Sequence, residues 1–135
     1  MSVRGALVVA AMVAIMMVLH FDEAKATNYK VGKQDDSYGW TAISYSSSYY
    51  PSGATLRTGD TLQFIYVKNI HNVVRLGKTG YENCDDSIGG WKYTTGNDTI
   101  PLRRGWNYFI CTTKISNTNE NMCSKYNMKI AVNAE

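Results

Sequence analysis

Short apolar-alternating runs recur along most of the chain, and turn residues separate them. In "DTLQFIYV", Leu62, Phe64 and Tyr66 alternate with Thr61, Gln63 and Ile65. "NYKVG", "GWTAISY", "NVVRLG", "GWKYTT", "DTIPL", "NYFIC" and "MKIAV" are similar in length and rich in Val, Ile, Tyr, Phe and Thr. "PSG", "TGD", "TGND" and "RRG" punctuate them. Side chains repeat every two residues in a strand, so this pattern predicts half-buried β-strands. The only helical signal is a short turn near Tyr81 to Asp86. Seven to eight short strands without repeat or linker predict one all-β domain, a sandwich or barrel with Greek-key connections. Trp40, Phe64, Tyr66, Tyr108 and Phe109 are expected to fill its core. Tyr45, Tyr49 and Tyr50 lie in a Ser-rich stretch and are read as partly buried loop aromatics, the alternative being a stacking surface for a sugar or a partner.

The N-terminus breaks the pattern. Arg4 precedes "ALVVAAMVAIMMVL", an apolar run of 14 residues, and "AKA" at 24 to 26 is a small-x-small site. This is the layout of a secretory signal peptide. The run is too short for a membrane span, which needs about 20 residues. Residues 1–26 are therefore expected to be removed, leaving 27–135 as the folded domain, secreted and without a membrane anchor. The segment carries two basic and two acidic residues, so the net charge stays at +3. That mild excess suits acidic extracellular polymers. No long Lys/Arg run marks a nucleic-acid binder, and Arg103-Arg104 reads as a solvated strand end.

Export implies an oxidising compartment. The three cysteines, Cys84, Cys111 and Cys123, then predict one disulfide and one leftover thiol. "NDT" makes Asn97 a glycosylation sequon next to a glycine turn. Once His20 leaves with the export segment, His71 is the single histidine. It follows a strand, Cys111 ends another, and Met128 opens the last. Ligands at strand ends can converge at one pole of a sandwich, and a His/Cys/Met set is soft and suits copper, especially Cu(I). Each residue also has a structural reading: His71 in a strand-end hydrogen-bond network, Cys111 as a small buried apolar group, Met128 as core. Cys111 with His71 as base would make a thiol enzyme, but no orienting third group or oxyanion motif accompanies them.

The ordered set "GW" (39–40), "YPSG" (50–53), "GDTLQFIY" (59–66), "HNVV" (71–74), "GYENC" (80–84), "NYFIC" (107–111) and "MKIAVNA" (128–134) resembles the phytocyanins, the plant cupredoxins. It is most similar to their plantacyanin or basic blue branch. The resemblance implies a cupredoxin Greek-key β-sandwich in a secreted plant protein of the apoplast or cell wall, non-enzymatic and monomeric. In the family's active members it also implies a copper ion that transfers single electrons. It assigns His71, Cys111 and Met128 as metal ligands and Cys84–Cys123 as the disulfide. It also exposes a departure. The family's second histidine ligand stands immediately before the second disulfide cysteine, and here that position is Met122. The stretch between Cys111 and Cys123 is longer than the family's ligand loop, and the Cys123 to Met128 spacing is one residue longer than usual. The expectation is a secreted interaction or signalling protein with an unidentified extracellular partner, an incomplete site and no copper. The alternative is an atypical His/Cys/Met electron-transfer site with one copper. In either case the lengthened loop is expected to hold its ligands loosely.

Overall fold

A computed structural model describes residues 25–32, 37–42 and 53–135. The proposed export segment up to residue 24 lies outside these, as do Tyr45, Tyr49 and Tyr50. Among the described residues there are seven strands: β1 (Asn28–Lys30), β2 (Thr61–Ile65), β3 (Val73–Leu76), β4 (Trp91–Tyr93), β5 (Asn97–Pro101), β6 (Gly105–Ile110) and β7 (Lys129–Ala134). Two short helices, α1 (Lys78–Asn83) and α2 (Met122–Tyr126), precede β4 and β7.

The strands form two sheets, ordered β1-β2-β5 and β4-β3-β6-β7. β1 runs parallel to β2, and the remaining pairs are antiparallel. The chain changes sheet between β2 and β3, again between β4 and β5, and again between β5 and β6, which lets β3 pair with β6. The inward face of each strand follows from alternation. β2 buries Leu62 and Phe64, β5 buries Asp98 and Ile100, and β7 buries Ile130, Val132 and Ala134. Trp40, Phe64 and Phe109 meet at the centre, with ring centroids 5.1 Å apart in each contact along the series.

The "GW" motif has a steric reason. A Cβ at Gly39 would fall 1.8 Å from the Val31 carbonyl oxygen, so only glycine lets the two backbones approach. That approach delivers Trp40, which is fully buried, to the core. The "GWTAISY" strand does not form over Trp40 to Ala42, and part of the remainder lies outside the described residues.

Tyr108 departs from expectation. It is half-buried on the other face of β6, with its ring 5.1 Å from Tyr81 and 6.4 Å from Trp106. Phe109 already points into the core, and successive strand residues face opposite ways. The first helix also begins earlier than expected, at Lys78. It ends where Cys84 adopts φ 50°, its N–H directed to the carbonyls of Gly80 and Tyr81.

Candidate metal centre

Antiparallel pairing of β3 with β6 and of β6 with β7 places the start of β3, the end of β6 and the start of β7 at one pole. His71, Cys111 and Met128 occupy those three ends. Cys111 Sγ lies 3.8 Å from His71 Nδ1. The Cys111 amide donates to the Met128 carbonyl at 3.0 Å. Cys111 and Met128 are fully buried in one core cluster, and half-buried Met122 packs against it.

Asn72 clamps the His71 and Cys111 segments together. Its Oδ1 accepts from the Thr112 amide at 2.9 Å, and its Nδ2 donates to Thr112 Oγ1 at 3.1 Å. The Asn72 carbonyl accepts from Trp40 Nε1 at 2.8 Å, tying the pole to the core. The Cys111 thiol donates to Thr113 Oγ1 at 3.5 Å. Asn72 and Thr113 were missed from sequence. The one available signal was an amide side chain directly after the histidine.

The longer loop is not held loosely by its backbone. The Cys123 amide donates to the Cys111 carbonyl at 3.0 Å, and the Met122 amide to the Thr113 carbonyl at 2.9 Å. The Ile115 amide donates to the Glu120 carbonyl at 3.0 Å, and Lys114 bridges Asn121. The extra residues therefore form a hairpin tip beyond a hydrogen-bonded stem, with Asn117 turning at φ 64°. The segment from Cys123 to Met128 is occupied mostly by α2. Asn121 caps it reciprocally: its side chain accepts from the Ser124 amide at 2.9 Å, and its own amide donates to Ser124 Oγ at 3.1 Å. Asn127 closes it at φ 53°.

Cys84 and Cys123 form a disulfide, leaving Cys111 as the free cysteine. Asn121 Nδ2 donates to the Cys84 carbonyl at 2.9 Å beside the bridge. Asn97 is exposed at the start of β5, and Thr99 shares its face.

The His71 imidazole is 9 % exposed, and burial pulls its pKa below the ordinary 6.5. In the window between that lowered value and 6.5, the unfolded chain binds more protons than the native one. The resulting stability is present above pH 6.5 and is lost as pH falls through the window. Urea unfolding at pH about 7.5 and about 5 should show a loss that His71→Gln removes. An equal loss in both chains would assign it to other groups.

The arrangement also bears on chemistry. A nucleophilic thiol must meet its substrate, and Cys111 is 0 % exposed. Two imidazoles and a thiolate make the plane of a blue copper site, and among the described residues one imidazole, that of His71, stands at this pole. Among the described residues, no three His, Cys, Asp or Glu side chains group as a metal site. These donors fall one imidazole short of the blue copper set.

A plastocyanin-like domain model matches residues 40–125. Chemocyanin of Lilium longiflorum is 40% identical over 74% of this chain and 75% of its own length. Basic blue protein of Arabidopsis thaliana is 37% identical over 94% of this chain and 88% of its own. Among solved structures, cucumber basic protein, a blue copper protein, superposes with a TM-score of 0.63 at 38% identity. That match covers 81% of this chain and all of the cucumber chain.

Proposed function

The chain belongs to the plastocyanin-like phytocyanins, and from that premise we propose that it is a secreted, monomeric member with a degenerate blue-copper centre. It acts as a non-enzymatic interaction or signalling protein in the plant apoplast or cell wall. The observation carrying this reading is the donor set: His71 is the sole histidine outside the export segment, and Met122 holds the position of the missing imidazole. A thioether in place of an imidazole removes a good Cu(II) ligand and favours Cu(I). The sandwich, its disulfide and its pole persist without that ligand.

The 3.8 Å approach of His71 and Cys111 favours a second reading, a copper protein with an atypical His71/Cys111/Met128 site that transfers single electrons. Copper titration of residues 27–135, with Cys111 reduced, separates the two. The first reading expects no stoichiometric Cu(II) and no intense visible band. One tightly held copper per chain with a strong thiolate charge-transfer band would establish the second and overturn the first.

On the secreted reading Asn97 carries an N-linked glycan. Its Oδ1 accepts from Gln63 Nε2 at 2.9 Å, leaving the exposed residue's amide nitrogen for the sugar. Expression through a plant secretory pathway should yield a glycosidase-sensitive mass that Asn97→Gln abolishes. An unmodified wild-type chain would remove Asn97 as the acceptor.

A further inference from the structure

The pole opposite His71 and Cys111 carries a groove of about 690 Å³. It gathers the end of β3, the start of α1, the approach to β4 and the start of β6. The distance from His71 to Leu76 along an extended chain is roughly 17 Å, so the groove is separate from the candidate metal centre. Among the described residues, its lining includes three cations, Arg75, Lys78 and Arg103, and no carboxylate. Two indoles also line it, and they are unusually open for tryptophan: Trp91 is 68 % exposed and Trp106 is 59 % exposed.

The two guanidinium groups have different settings. Arg75 is held in place, donating Nη1 to the Pro101 carbonyl at 2.7 Å and Nη2 to Asn107 Oδ1, with its guanidinium 5.5 Å from the Phe109 ring centroid. Asn107 is 2 % exposed, and its amide donates to the carbonyls of Arg103 and Gly105 at 2.8 and 2.9 Å. Its Oδ1 also accepts from the Arg103 amide at 2.9 Å. One buried amide thus holds the Arg75 side chain and the Arg103 backbone in register. The Arg103 guanidinium has no hydrogen-bond or ion-pair partner among the described residues. Burial first, and the Arg103 charge second, pull Arg75 below its ordinary value. Lys78 pairs weakly with Glu82 at 3.8 Å, both side chains being exposed.

A preorganised guanidinium beside a second, unpaired one is complementary to an anion, and its planar fork matches carboxylate oxygens. Open indoles give flat apolar faces at low entropic cost. Alternating carboxylate groups and flat ring faces occur together along a chain of sugar acids. A net charge of +3 without a basic stripe argues against nucleic acid as the occupant.

We propose that this groove, which wraps the end of the four-stranded sheet, binds an acidic polysaccharide of the uronate class, its carboxylates on Arg75 and Arg103 and successive sugar faces on Trp91, on the Arg75 side of the sheet, and on Trp106, on the Tyr108 side. This deepens the extracellular binding role and is independent of copper, so the copper and saccharide titrations can fail separately.

The test is calorimetric titration of the secreted chain with an oligogalacturonate and with the same oligosaccharide fully methyl-esterified. The acid should bind, weaken as salt rises, and outcompete the ester by at least about tenfold. Arg103→Gln and Trp106→Ala should each weaken binding about tenfold. Both positions are exposed, so both variants should keep the wild-type melting temperature. Arg104→Gln changes an exposed charge outside the groove and should leave binding within about twofold. No binding, or equal losses in Arg103→Gln and Arg104→Gln, would overturn the proposal. So would Trp106→Ala binding like wild type, or polyglutamate or a phosphopeptide binding at least as well as the saccharide.

Discussion

Removing the disulfide, as Cys84→Ala with Cys123→Ala, is expected to cost about 4 kcal/mol and lower the melting temperature by roughly 15–20 °C. The bridge joins positions separated by 39 residues. In the chain-entropy account, its removal restores the unfolded ensemble's freedom to separate those ends. The native cost is local: both cysteines belong to the small cluster with Val74, Ile110, Leu76 and Tyr81. Alanine leaves no new buried polar group there. Thermal and urea unfolding of oxidised wild type and the double variant would measure the difference. A loss under about 1 kcal/mol would mean that the stem between Cys111 and Cys123, with the Asn121 contact to Cys84, already restrains the unfolded chain.

On the degenerate-site reading, Met122→His is expected to create a centre that holds copper with an intense thiolate band. Met122 is the first residue of α2, and its amide is fixed to Thr113. Its neighbour Cys123 is bonded through its amide to the Cys111 carbonyl, so an imidazole introduced at 122 stays beside the thiol-bearing strand end. Changes that only support a ligand alter metal affinity by about 10–100-fold, so restoring a ligand should raise it by more than about 100-fold. Adding His71→Gln to that variant should abolish the band. If Met122→His binds no more copper than wild type, the hairpin and the longer route through α2, rather than the missing imidazole, set the limit.

The strands were legible because one face of each is buried. Leu62, Phe64 and Tyr66 announce β2 before any contact is known, and burial follows their alternation. The pole was legible in part, since strand-end residues converge once the sheet order is fixed. α2 was not, because five residues are too few to display a 3.6-residue period. Its sign was the pair Asn121 and Ser124, a capping box without the usual acid or amide at the third position. The hairpin tip was equally silent, because its polar residues are set by backbone bonds rather than burial. Tyr108 illustrates a further limit: two aromatic neighbours on a strand cannot share a face, and composition does not say which turns inward. Arg103 read as a solvated strand end and is exposed there, where it lines a groove together with Arg75.

Cys111 and Cys123 are adjacent across a backbone hydrogen bond, yet they belong to different apolar clusters. Cys111 faces the interior between the sheets, while Cys123 joins Cys84 on the outer side of the four-stranded sheet. The sheet is therefore a partition between two sulfur compartments. Once β6 and β7 have zipped, shuffling to a bridge with Cys111 would require that strand end to turn inside out. In an oxidising lumen, the fidelity of pairing is then decided by whether the sheet closes before the oxidant arrives.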